Sequence, residues 1–154
     1  IPFLTEFPEP YKTRRRILGR KVLEIQGIDR KDREKRRWWH IQMTKFFDAP
    51  NAVLICVDRS YYQMDDFLNG WALLSCGSVA MNITLLALNY GLGTCLEVAP
   101  IAYPDVIRQL LDISGSNIIV LAVAIGYPDW NNPVNQFRSQ REPLDKITKW
   151  YGFP

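Results

Sequence analysis

The sequence has few of the residues from which metal sites and hydrolytic centres are built. It contains one histidine, His40, and three cysteines in 154 residues, with no Cys-x-x-Cys pair. A zinc site needs a cluster of three or four such ligands, so none is expected. A serine or cysteine hydrolase would have to use His40, which lies in a basic, aromatic stretch. That alternative is disfavoured, because such enzymes need a positioned nucleophile and base.

Disulfide bonds are also not expected. Cys56, Cys76 and Cys95 lie in strongly apolar runs. Their odd number and wide spacing indicate a reducing, cytoplasmic environment and three small buried hydrophobic side chains. The chain begins at Ile1 with proline-rich sequence and shows no signal peptide. From this start we expect that further sequence lies upstream.

Glycine-rich nucleotide fingerprints are missing as well. Gly91-Leu92-Gly93 lacks a third glycine and the Gly-Lys-Ser/Thr ending of a phosphate loop. No pair of carboxylates stands out as acid and base, since Asp65 and Asp66 fit the start of a helix. An enzyme of this composition therefore needs a cofactor with its own reactivity, as flavins have. Arg138 and Arg141 are candidate phosphate anchors, although a surface position explains them equally well.

Positive charge is concentrated near the start of the chain. Twelve of the 19 lysines and arginines lie within residues 12–37. Glu24, Asp32 and Glu34 are interleaved among them, which favours a solvated helix face. The alternative is a basic module, over residues 10–37, that binds nucleic acid or an anionic surface. We disfavour this alternative because no nucleic-acid-binding motif accompanies the charge.

The apolar pattern predicts a single domain over residues 1–154, with helices and strands mixed along the chain. Helices are expected at 11–26, ended by Gly27, and from about 30 to 47, capped by Asp29. Buried strands are expected at 52–57 and 117–125, and a short extended segment at 96–98. Pro104 opens a brief helix whose predicted buried side is Val106, Ile107, Leu110 and Leu111.

The dominant predicted element is a helix from about 67 to 90. It is apolar nearly all round and about as long as a membrane span. Polar residues interrupt it and no Lys or Arg flanks its ends, so a membrane span is the weaker alternative. An all-round apolar helix in a soluble protein must be buried on all sides. We therefore expect one face to cover a sheet and the other to meet a second subunit, with the polar tail from 130 to 154 lying across a partner.

An ordered set of motifs resembles the nitroreductase family over about residues 46–153. FFDAPNAVLICVD at 46–58 is similar to its strand after an Ala-Pro entry, and CGSVAMNITLLAL at 76–88 to its long dimer helix. GLGTC at 91–95 resembles the turn that leads to the flavin. AIGYPD at 124–129 and NPVNQFRSQREPLDK at 132–146 resemble the late strand and the phosphate-binding segment.

The resemblance implies an α+β fold with a mixed, mostly antiparallel sheet, a long central dimer helix and an extended C-terminal tail. It implies an intertwined homodimer with FMN at the interface. The implied chemistry is ping-pong: NADH or NADPH reduces FMN, which then reduces a nitroaromatic, quinone or similar small aromatic acceptor. It implies no catalytic side chain that is obligatory for proton transfer, and neither a nucleic acid nor a membrane as partner.

The resemblance also assigns residues. Arg141 would hold the FMN phosphate, and Ser139 stands where a lysine or other donor often assists. Leu96, Glu97 and Val98 would pass along the flavin ring; a neutral residue is commoner than Glu97, because a carboxylate near a reduced, anionic flavin is unfavourable unless it points away. The substrate-facing wall would include Tyr62, Phe67 and Trp71, for which core packing is an equal alternative.

Two features of the resembled family are not found in this sequence. The family's arginine-rich Arg-Arg-Ser-x-Arg segment and its Asn-x-Gln-Pro-Trp segment both contact FMN, and neither occurs here. Arg14-Arg15-Arg16 does not replace the first, because Ile17 follows where serine is needed. The expectation is an N-terminally incomplete domain. A family member that dimerises without tight FMN binding is the alternative to an active flavoenzyme.

Overall fold

The computed structural model describes residues 6–61 and 70–152; two predicted pocket residues, Tyr62 and Phe67, lie outside these ranges. Short 3-10 turns occur at Phe46–Asp48, Arg59–Tyr61 and Pro100–Ala102. The helices and strands, in chain order, are α1 (Tyr11–Ile25), α2 (Arg33–Thr44), β1 (Asn51–Asp58), α3 (Gly70–Asn89), β2 (Gly93–Glu97), α4 (Pro104–Leu111), β3 (Asn117–Gly126), α5 (Pro133–Gln136) and α6 (Leu144–Ile147).

The described strands form one antiparallel sheet in the order β1-β3-β2. β3 is the central strand, and its continuous apolar sequence fits a strand that is covered on both faces. Ala122 and Val123, which point to opposite faces, are both 0% exposed. The β1–β3 register shifts between Ile55 and Cys56, where one extra residue of β3 is accommodated. The α+β class that the sequence predicts is confirmed.

Each face of the sheet has its own small core. On one face, Ile55 and Val123 pack against Cys76 and Ala80 of α3. On the other face, Ala122 and Ile119 pack with Ile101 and, through Ile107, with α4. The predicted buried side of α4 was therefore wrong for three of its four members: Val106, Leu110 and Leu111 are 54%, 76% and 60% exposed. Helical spacing identifies the apolar side of α4, but it cannot show whether another element of the structure covers that side.

The first two helices follow the sequence with one correction. α1 ends before Gly27, whose φ of +64° suits glycine. α2 is capped by Asp32, not by Asp29, because the Asp32 carboxylate accepts from the Lys35 N–H at 2.9 Å. Asp29 instead accepts from the Lys31 N–H at 2.7 Å within the preceding turn. The helix also stops earlier than predicted, at Thr44, before a turn in which Phe46 and Phe47 adopt left-handed φ angles.

α3 is buried along one side only in the single chain. Its buried residues are Cys76, Ala80 and Ala87, which are small and lie at helical spacing against the sheet. In the part of the chain that the structure describes, it is the one helix long and apolar enough to cross a membrane, with a mean hydropathy of 1.7. The opposite side is apolar and exposed, with Trp71, Leu74, Val79, Met81, Leu85, Leu86 and Leu88 each at least half exposed.

Gly126 packs closely against Pro50 at one end of the β1–β3 pair, and a substitution at Gly126 tests this packing. A Cβ added at Gly126 would lie 2.8 Å from Pro50 Cδ. Gly126→Ala should therefore destabilise the fold by about 1–3 kcal/mol through overpacking. The measurement is the free energy of unfolding in urea. Gly115→Ala is the control, since nothing lies within 4 Å of an added Cβ there.

The double variant Pro50→Ala/Gly126→Ala removes the ring atoms that the new methyl group would meet. Stability should then recover relative to the sum of the two single variants. Equal stability of the Gly126→Ala and Gly115→Ala proteins would contradict the assignment.

Candidate functional site

β2 provides a sheet edge next to the end of α3. Gly91, with a φ of +69°, turns the chain out of the helix, and Gly93 begins the strand against Pro128, where an added Cβ would lie 3.1 Å from the proline Cβ. Because β3 is the one described strand that pairs with β2, alternate residues of Gly93–Glu97 direct backbone N–H and C=O groups away from the sheet. These groups are available to a ligand laid along the strand.

The side chains of β2 divide between the two faces of the sheet. Cys95 and Glu97 share one face, opposite Ala124 and Ala122 of β3. Leu96 points to the other face and is 46% exposed, and Val98, just after the strand, is 52% exposed. The predicted extended segment is thus confirmed over Leu96 and Glu97, whereas Val98 lies beyond the strand.

Glu97 is the one buried charged side chain among residues 6–61 and 70–152, at 6% exposure. Its Oε1 atom has no hydrogen-bond partner. Burial raises the pKa of the Glu97 carboxyl above its usual value, and a hydrogen bond with the Cys95 thiol opposes this only partly. The site therefore favours the neutral carboxylic acid more than water does.

Cys95 is the partner of Glu97 that the sequence pattern did not identify. All three cysteines are free thiols; Cys76 is buried and Cys56 half-buried, as hydrophobic packing predicts, but Cys95 is exposed. Although the residue as a whole is exposed, the atoms packed around its thiol, followed by the charge and hydrogen bond of Glu97, raise the pKa of Cys95 to about 12. The two-residue spacing within a short extended segment was the available signal, since it places both side chains on one face.

The second group of predicted site residues lies after β3. The Arg141 guanidinium donates to the Ser139 hydroxyl and, at 3.4 Å, to the Ser139 carbonyl, so the structure brings these two together. The adjacent Glu142 carboxylate is held by Arg14 of α1 at 2.7 Å and by Lys146 at 3.6 Å. Arg141 has no carboxylate partner in the described residues, and therefore offers a cation beside a hydroxyl, which suits an anion.

The two groups stay apart in the single chain. Within the described ranges, no hydrogen bond or ion pair joins Leu96, Glu97 or Val98 to Ser139 or Arg141. Arg138, the other sequence-predicted anchor, turns back to its own segment and donates to the Asn135 and Phe137 carbonyls at 2.9 and 3.1 Å.

Two further predicted features concern the substrate wall and metals. Trp71, in the first turn of α3, is 70% exposed, so its side chain is free to line a pocket. Core packing, the alternative interpretation of Trp71, is wrong for the single chain. The described residues contain no group of three or more His, Cys, Asp or Glu side chains that could hold a metal ion.

Comparison with known proteins identifies a family over most of the chain. The model of the family described as "Nitroreductase family" matches residues 7–127. The chain is 29% identical to a 4-nitrobenzoate reductase from Nocardioides sp. (strain LMS-CY), over 90% of the chain and 53% of that relative. It is 30% identical to a nitrobenzene nitroreductase from Ectopseudomonas oleovorans, over 91% of the chain and 59% of that relative.

Solved structures share the fold. The FMN- and NADPH-dependent nitroreductase NfnB from Sphigopyxis sp. strain HMH superimposes with a TM-score of 0.83 at 25% identity, covering 99% of this chain and 66% of that one. The FMN-dependent nitroreductase NfnB from Mycobacterium smegmatis gives a TM-score of 0.84 at 18% identity. The chain thus spans 53% and 59% of the length of the two curated relatives.

Replacing Glu97 by glutamine tests its burial. Because the folded-state pKa is raised above 4.5, the folded chain holds this proton more tightly than the unfolded chain. The resulting stabilisation is complete below pH 4.5 and is lost as the pH rises through the folded-state pKa. Glu97→Gln cannot ionise, so the free energy of unfolding of the native chain should fall relative to this variant as the pH is raised.

The measurement is urea unfolding at a series of pH values from about 4 to 9, the window over which the two proteins should diverge. Glu9→Gln, at an exposed position before α1, is the control and should track the native chain throughout. A constant difference between the native chain and Glu97→Gln across this window would rule out a buried, titrating carboxyl.

Proposed function

Because the chain belongs to the nitroreductase family, we propose that it forms part of an FMN-dependent oxidoreductase that passes reducing equivalents from NADH or NADPH to a nitroaromatic or quinone-like acceptor. The relatives named for 4-nitrobenzoate and nitrobenzene reduction support the acceptor class. The FMN- and NADPH-dependent neighbour supports the cofactor and the reductant. We also propose a cytoplasmic location.

The observation that carries the proposal is the Arg141–Ser139 pair. A phosphate monoester needs fixed, charge-assisted donors, and an arginine guanidinium offers them in a planar fork. Glu142, the nearest carboxylate in sequence, is already paired with Arg14 and Lys146, so it does not compete for Arg141. The residues of this segment therefore fit the phosphate of FMN, with Arg141 as the main anchor and Ser139 as the assisting donor.

The edge of β2 suits the ring of the same cofactor. Bound FMN would supply the hydride acceptor and donor, and the chain would supply its position and surroundings. The outward backbone groups of β2 would hydrogen-bond the ring edge, and the exposed side chains of Leu96 and Val98 would offer an apolar surface. Trp71 would bound the space for a planar acceptor; Tyr62 and Phe67, also proposed for this wall, lie outside the described residues.

Glu97 is compatible with this arrangement because of the face on which its side chain lies and because of its protonation. Its side chain lies on the Ala122 face of the sheet, and burial favours its neutral form. A neutral carboxyl would not repel a reduced, anionic ring in the way that a carboxylate does.

We also propose a homodimer that is formed through α3. The exposed side of this helix carries a run of large apolar residues, and a soluble monomer rarely leaves such a patch uncovered. A second copy presents the same apolar side, so a two-fold contact would bury both at once.

Arg141→Gln tests the phosphate anchor. Loss of the charge-assisted bonds should weaken FMN binding about tenfold to a hundredfold. The measurement is quenching of flavin fluorescence on titration of FMN, with bleaching of the flavin absorbance by NADPH under anaerobic conditions as the redox readout. Lys149→Gln removes an exposed charge from the same tail and should leave FMN affinity unchanged.

A protein that retains no FMN even at high FMN concentration would overturn the oxidoreductase proposal. That result would favour the alternative of a family member that folds and dimerises without tight FMN binding. Equal weakening by Arg141→Gln and Lys149→Gln would remove Arg141 from its proposed role.

Leu85→Lys tests the dimer. Leu85 is 57% exposed on the proposed interface, so a lysine there would leave a charge buried in the dimer and should shift the protein to monomer. Leu110→Lys is the matched control and should leave the dimer intact, since Leu110 belongs to α4, outside the proposed interface, and is 76% exposed. Sedimentation velocity gives the mass of each. A native chain that is monomeric would overturn the proposed dimer. Co-sedimentation of the native chain with added lipid vesicles would also overturn it and would favour the membrane alternative for α3.

A further inference from the structure

A basic pocket lies at the other end of the chain, between the start of α1 and the turn into α2. Its volume is about 730 Å³, within the usual range for small-molecule sites. The lining residues of α1 form two neighbouring rows with four-residue steps, so a single side of the helix forms the wall. One row is Lys12, Arg16 and Arg20, and the other is Arg15, Gly19 and Leu23. None of the residues proposed for FMN lines it.

The pocket has an excess of cations that form no ion pair with a described carboxylate. Six lining cations face three carboxylates, and two of these carboxylates are engaged elsewhere. Glu24 pairs with Lys21, which is not in the lining, at 3.7 Å, and Asp29 accepts from the Lys31 N–H. No described carboxylate forms an ion pair with any of the lining cations, which are Lys12, Arg15, Arg16, Arg20, Arg30 and Arg36.

Repulsion between these cations destabilises α1, and a bound anion would relieve it. Lys12, Arg16 and Arg20 follow one another at four-residue intervals, and like charges at this spacing destabilise a helix. Arg36 reaches back to donate to the Arg30 carbonyl at 3.3 Å, which holds the Arg36 side chain at the pocket. The arrangement is therefore primed for a ligand with several negative oxygens.

The floor of the pocket is apolar and includes an aromatic ring. Ile28 is 5% exposed, and Phe7 lies under the Arg15 guanidinium, whose carbon is 4.8 Å from the ring centroid. Gly19 opens the middle of the helical wall, since nothing lies within 4 Å of an added Cβ. A ligand with a flat apolar part can thus reach the helix backbone and stack on an aromatic or guanidinium plane.

We propose that this pocket binds a nucleotide-sized organophosphate, of the type of a nucleoside diphosphate. Its phosphates would meet the α1 arginines, since guanidinium forks match phosphate geometry, and its base would lie on the Phe7 side. A concave site of this size fits a small ligand better than the flat, extended track that nucleic acid or a lipid surface needs. The proposal does not depend on flavin binding.

The test uses ADP as the probe, titrated into the full chain by calorimetry. ADP should bind saturably, with adenosine much weaker because it lacks the phosphates. Arg16→Gln/Arg20→Gln should weaken ADP binding at least about tenfold per arginine removed. Arg33→Gln/Arg37→Gln is the matched control: it removes two charges from exposed arginines of α2 outside the lining and should change little.

Gly19→Leu is an independent variant that keeps every charge. It fills the open wall and should weaken ADP binding as strongly as the double arginine variant, while replacing glycine inside a helix favours folding. Helical content and melting temperature, measured by circular dichroism, check that each variant is folded. ADP binding should be the same with saturating FMN and in Arg141→Gln.

Several outcomes would overturn the proposal. They are no saturable binding of ADP at millimolar concentration, equal losses in the two double arginine variants, or an unaffected Gly19→Leu protein. Loss of ADP binding when FMN is saturating would assign the pocket to the flavin site instead. A single-stranded oligonucleotide that binds more tightly than ADP, with equal losses in both double variants, would identify a nucleic-acid-binding surface.

Discussion

The central position of β3 is the constraint on which the rest of the structure depends. Its ten residues pair with β1 on one side and β2 on the other, and its two faces separate the two cores. This pairing fixes which side chains of β2 share a face. Glu97 stands beside Ala122 because the register is set from Gly93 opposite Gly126, and a shift by one residue would place Leu96 there instead. The small alanines of β3 leave room for a long side chain at that position.

The elements with one dominant signal were predictable from the sequence. β1 and β3 are continuous apolar runs between turn residues, and α3 is too long and apolar to be anything other than a helix. α1 carried both a helical apolar spacing and a glycine stop. In each of these elements, the local residue pattern alone was enough to predict a helix or a strand, so no knowledge of the neighbouring element was needed.

The details that depend on a neighbour could not be predicted. Asp29 and Asp32 are equally good caps by residue type, and only the backbone path decides between them. One side of α4 is apolar, but only part of it is covered: Ile107 packs against the core on the sheet, whereas Leu110 stays exposed. The Arg141–Ser139 pair came from a resemblance, since spacing alone fits a surface arginine equally well. The concave wall of α1 needed the turn at Gly27 to bring Arg30 and Arg36 opposite it.

The exposed apolar side of α3 also links folding to association. The single chain buries only three residues of this twenty-residue helix, so much of its potential hydrophobic stabilisation is realised only when another surface covers it. With a second copy in that place, the free energy of unfolding becomes a function of protein concentration by mass action. A dilute sample would then melt at a lower temperature than a concentrated one, and the amount of chain that a cell makes would itself set the fraction that is folded.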